Sequence, residues 1–145
     1  MNEFNFKLRF KLVIGSIFLI FFMYLLVSLG IEKIAEYLIF PESFIYTSGA
    51  IFIALGSFAM LPLLIMLLSP IFYGVKADVK LQKIYFKVMV YALIIASISS
   101  LTFSLIYLPI LERRGYIACK GTPMGYTPGM GTQYVLDLSL CGANK

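Results

Sequence analysis

Long uncharged runs alternate with short charged segments along this chain, and the alternation predicts three membrane-spanning helices. Leu12 to Ile31, Ser43 to Val75 and Val88 to Leu111 contain no Asp, Glu, Lys or Arg. The first would be about 30 Å long as a helix, the thickness of a hydrocarbon core. The predicted fold class is an all-α membrane protein: three transmembrane helices with a short disulfide-stapled β-hairpin tail. The segments read as a basic N-terminus (1–11), helix one (12–31), an interfacial connection (32–46), helix two (47–70), a basic loop (71–87), helix three (88–111) and a tail (112–145).

Each segment adds detail. Ser28-Leu29-Gly30 would suit signal-peptide cleavage, but the apolar run is too long and further spans follow, so an uncleaved anchor is expected. Ile31, Ile34, Ala35 and Leu38 fall at helical spacing, which predicts a short amphipathic helix lying at the interface and ending near Pro41. Phe40, Phe44 and Tyr46 suit the headgroup level. In the second span Ala50 and Ala54 lie four apart, as close approach of membrane helices requires; Pro62 predicts a kink and Ser69-Pro70 a stop. In the third, Ala92, Ala96, Ser100 and Ser104 continue a small-residue stripe, read as helix packing in preference to a solute path.

The tail differs from all that precedes it. It holds Cys119 and Cys141, and Gly115, Gly121, Gly125, Gly129, Gly131 and Gly142. Tyr116 to Lys120 and Tyr134 to Cys141 read as short strands, with the turn-rich stretch Gly121 to Thr132 between them. So small a hairpin needs a staple or a supporting surface. A Cys119–Cys141 disulfide would provide about 3 kcal/mol by chain entropy and would require an oxidising compartment. Two free thiols are the competing reading.

Composition narrows the function classes. Of 145 residues 61% are hydrophobic and 13% charged, and the mean hydropathy is +0.93, too apolar for one small soluble core. The net charge of +5 resides in clusters beside the apolar runs, a membrane pattern that excludes a nucleic-acid partner. Lys76, Lys80, Lys83 and Lys87 fall on one helical stripe suited to an anionic membrane surface, with a calmodulin-like or phosphoinositide-type target as the alternative. Together with Lys7, Arg9 and Lys11 they outnumber Lys33, Arg113, Arg114, Lys120 and Lys145. The expected orientation is therefore N-terminus in the cytoplasm and tail on the outer side of the membrane. Histidine is absent, and no carboxylate lies inside an apolar run. No enzyme, cofactor or metal site is expected, and a transporter is disfavoured.

The pattern Gly115-Tyr116, Cys119, Tyr134-Val135 and Leu140-Cys141 resembles the ending of a group of small enterobacterial inner-membrane proteins of unknown function with paired-cysteine tails. The layout is also similar to membrane-embedded immunity proteins, which protect a bacterium from an envelope-acting toxin. These resemblances imply a bacterial inner-membrane location, N-terminus cytoplasmic and C-terminus periplasmic, and a binding protein without chemistry, partnered by lipid and by a toxin. Tyr116, Met124, Tyr126, Met130 and Tyr134 are its candidate partner contacts. The alternative is a structural or accessory subunit of a membrane complex, the small-residue stripes of helices two and three facing the other subunit or a second copy.

Overall fold

A computed structural model describes residues 6–75, 78–119 and 131–141. Its elements follow one another as α1 (Phe6–Ile39), β1 (Ser43–Tyr46), α2 (Gly49–Gly56), α3 (Leu61–Phe72), α4 (Val79–Arg113), β2 (Ile117–Ala118) and β3 (Thr132–Val135). Helix α1, the stretch Gly49–Phe72 and helix α4 are each long and apolar enough to cross a membrane. Large side chains such as Phe18, Ile98 and Leu105 face outward, while Ala50, Ala54 and Ala96 are buried between helices. Small residues inside and bulky apolar ones outside is the arrangement that lipid permits and water does not.

Helix α1 corrects the expectation of a separate interfacial helix. At 34 residues it is about 50 Å long, and it continues past Ile31 to Ile39 without a break. No helix breaker stands between Gly30 and Pro41, and Gly30 itself is needed inside the helix. A Cβ there would lie 2.6 Å from the Cβ of Ala54 and 2.8 Å from its Cα, so only glycine lets α1 and α2 approach this closely. The helix ends where Phe40 adopts φ 54°, a left-handed conformation that bulky residues rarely take, just ahead of Pro41.

The two prolines of the second span act differently from one another. Pro62 has no N–H, and its ring would meet the carbonyl of Phe58. The chain answers with a 3₁₀ turn over Ser57–Met60 between α2 and α3, and buried Ser57 donates its hydroxyl to the carbonyl of Ala54 at 2.7 Å. Pro70 does not stop the helix as expected; α3 runs on to Phe72, and the chain turns at Gly74, where φ is 69°. The guanidinium of Arg9 lies against Gly74, so the start of α1 and the α3–α4 connection share one end of the molecule.

At the other end the strands form one antiparallel sheet of order β1-β3-β2. The expected hairpin is therefore only part of the sheet. Its third strand comes from the connection after α1, pairing Ser43 with Val135 and Tyr46 with Thr132. The second expected strand also ends early. It stops at Val135, Asp137 accepts from the N–H of Ser139 at 3.0 Å, and Leu138–Leu140 form a 3₁₀ turn.

Candidate functional site

The helix bundle meets the sheet in a cluster of rings, and the cluster grows out of the way α1 ends. The last carbonyls of a helix lack intrahelical donors, and a proline four residues on removes one more. The carbonyl of Tyr37 is in that position, since its i+4 residue is Pro41. Tyr107 of α4 supplies the missing donor, its hydroxyl reaching the Tyr37 carbonyl at 2.6 Å. Tyr116, at the entry to β2, directs its hydroxyl at the carbonyls of Phe40 and Pro41, 2.8 Å from each. The hydroxyl of Tyr37 accepts the N–H of Thr47 at 2.9 Å and lies 3.3 Å from the Thr47 carbonyl. Tyrosines distant in sequence thus close the end of α1 and the turn from β1 into α2.

Alternation along β1 and β3 builds the remainder. Phe44 and Tyr46 share a face of β1, and Tyr134 opposes Phe44 across the β1–β3 pair. Their rings pack against one another and against the helices. Tyr37 lies 5.2 Å from Tyr46 and 5.8 Å from Tyr107, and Phe44 lies 5.6 Å from Tyr116 and 6.2 Å from Tyr134. Tyr46 donates to Ser104 at 2.7 Å, Ser104 donates back to the Ser100 carbonyl, and Ser100 donates to the carbonyl of Ser48. The guanidinium of Arg114 sits 3.8 Å over the ring of Phe40, close to the negative end of α1.

The other face of the sheet meets the 3₁₀ turn Leu138–Leu140. Buried Gln133 donates to Ser43 at 3.1 Å and lies 3.4 Å from the Leu140 carbonyl; Val135 beside it is fully buried. Cys119 is bonded to Cys141, with Cα atoms 5.6 Å apart. Cys119 also donates its backbone N–H to Gln133, so the bridge continues the β2–β3 pairing. Burial raises the pKa of the Tyr46, Tyr116 and Tyr134 hydroxyls, with Arg114 pulling that of Tyr116 part of the way back. These hydroxyls stay protonated through the neutral range.

Residues 44–142, from within β1 to just past the disulfide, match the family described as a protein of unknown function, DUF1240. The chain belongs to that family. No curated protein and no solved structure matches it. The matched residues include both cysteines of the tail but leave out α1, so the cluster joins Tyr37 from outside the family match to Tyr46, Tyr107, Tyr116 and Tyr134 from within it.

Within this family member the candidate contacts separate into two groups. Tyr116 is 6% exposed with its hydroxyl engaged, and Tyr134 is half-buried among rings, so these two hold the sheet on the helices and are not free contact side chains. Met124, Tyr126, Met130 and Lys76 lie outside the described residues. Lys80, Lys83 and Lys87 are exposed along the first turns of α4, at the end away from the sheet. Among the described residues no group of three His, Cys, Asp or Glu could hold a metal ion. Sequence reasoning passed over the buried Tyr37 and Tyr107. The available signal was Pro41, which leaves a carbonyl needing a donor from elsewhere.

Proposed function

We propose that this chain is an inner-membrane binding protein of the immunity type, neutralising a membrane- or envelope-acting bacterial toxin on the periplasmic side. The reading rests on one observation: the sheet is fixed to the helix ends by buried rings and engaged hydroxyls, and the Cys119–Cys141 bridge lies at its edge. Cys119 and Gly131, which flank the remaining candidate contacts, thus both belong to this packed support, and preorganised ends lower the entropic cost of binding. The basic residues beside the spans favour a cytoplasmic N-terminus, which puts the sheet and its disulfide in the oxidising periplasm.

The accessory-subunit reading drew on small-residue stripes left free for another protein. Here those stripes are occupied within the chain. Ala50 and Ala54 are buried, Ala54 against Gly30; Ala96 is fully buried; Ser100 and Ser104 bond to Ser48 and Tyr46. That leaves the tail as the better candidate for recognition.

The test is a killing assay with a panel of envelope-acting toxins on cells with and without the gene. The proposal expects hypersensitivity to one toxin, restored by the wild-type chain and not by a chain lacking residues 121–130. Unchanged sensitivity across the panel, with a membrane complex that loses a component when the gene is deleted, would favour the accessory subunit.

A further inference from the structure

Away from the sheet, a groove of about 550 Å³ lies between α3 and the first turns of α4. That is the size of a site for a small ligand. Leu63 and Met66 line it from α3, and Phe86 and Met89 from α4. Lys83 and Lys87 line it as well, one helical turn apart and about 6 Å along the axis. Among the described residues, no carboxylate lines the groove. The uncharged run of α4 begins at Val88, so both lysines stand at the edge of the hydrocarbon while the apolar wall continues inward.

We propose that this groove is a binding site for an anionic phospholipid, with an acyl chain against Leu63, Met66, Phe86 and Met89 and the phosphate held by Lys83 and Lys87. Charge complementarity selects the occupant. Two cations beside an apolar wall that continues inward to Met89, with no carboxylate among the described lining residues, match a lipid that carries negative charge at the membrane surface and hydrocarbon beneath it. A second copy of this chain is a poorer fit, because a twofold contact across this groove would set lysines against lysines. The site goes beyond general attraction of a basic stripe to a membrane, since Lys80 shares the stripe but does not line the groove. It is independent of the toxin reading.

The experiment is native mass spectrometry of the full chain released from nanodiscs of mixed phosphatidylglycerol and phosphatidylcholine. The wild type is expected to retain phosphatidylglycerol preferentially. Lys83→Gln and Lys87→Gln should each lower that preference about fivefold, the worth of one basic side chain at an anionic surface, and Lys80→Gln should leave it unchanged. Leu63→Trp, which fills the slot without altering charge, should lower retention of the lipid while helical circular dichroism stays constant. Equal retention of the two lipids, an equal loss for Lys80→Gln, or a dimer that carries no lipid would each overturn the proposal.

Discussion

The hydroxyl of Tyr107 donates to the carbonyl of Tyr37 at 2.6 Å, filling the place of the donor that Pro41 cannot supply. One bond thereby ties α4 to the end of α1. Tyr107→Phe keeps the ring and leaves a buried carbonyl without this partner, at a cost of about 1–3 kcal/mol. Thermal unfolding in detergent should show the loss. Amide exchange should rise first in β1 and β3, which rest on this cluster.

Phe40 combines a left-handed backbone with a ring held between Tyr107, 5.8 Å away, and the Arg114 guanidinium. Phe40→Ala removes the ring contacts and keeps the backbone strain. Phe40→Gly removes both, and the strain is worth about 1–2 kcal/mol. Glycine should therefore be the milder substitution, the reverse of the order inside a helix. Parallel melts of the two variants decide it.

Gly30 and Ala54 meet without space for another methyl group. Gly30→Ala must push α1 from α2 and should destabilise the protein by about 1–3 kcal/mol. Gly15 provides the control in the same helix, because nothing lies within 4 Å of a Cβ built there. Gly15→Ala should be neutral or slightly stabilising, as helix propensity alone predicts. Unfolding in mixed micelles compares the pair.

The bonded cysteines provide a test of topology. A membrane-impermeant thiol reagent applied to intact cells should label Cys119 and Cys141 only after reduction. Labelling that requires broken membranes would reverse the proposed orientation. Replacing both cysteines with serine should cost about 3 kcal/mol of the stability of the sheet, leaving the helical circular dichroism intact while β2 and β3 lose amide protection.

The raised tyrosines set an alkaline limit. Tyr46, Tyr116 and Tyr134 hold their protons more tightly in the folded sheet than in an unfolded chain, whose tyrosines titrate near pH 10. Their contribution is fully present below about pH 10 and is lost as pH rises through the folded values. Tyrosinate absorbance followed together with near-ultraviolet circular dichroism should show the sheet loosening above that pH while it is unaffected between neutral and mildly basic conditions.

Much of the layout was legible in local patterns. Uncharged runs of membrane length mark the three helices because hydrocarbon tolerates few charges, and that constraint acts on each segment separately. Ala50 and Ala54 announced close packing for the same local reason, and two cysteines in one small tail pointed to a bridge. The early end of β3 was not legible in this way, because it follows from a pairing that only the folded chain shows. Cys119 pairs beside Gln133, so a strand extended from there to Cys141 would carry the second thiol about 25 Å away. The chain had to turn back, and Asp137 followed by Ser139 is where it does.

Tertiary structure decided the rest. Ser43 to Tyr46 becomes a strand only because β3, 90 positions later, gives it a partner. Tyr116 reads as a free contact until its hydroxyl is seen closing the end of α1, and Lys83 and Lys87 read as ordinary flanking lysines until α3 supplies the opposite wall of their groove. Periodicity records which residues avoid water or seek it. Which carbonyl lacks a donor, and which distant hydroxyl reaches it, depends on packing between segments that share no local pattern.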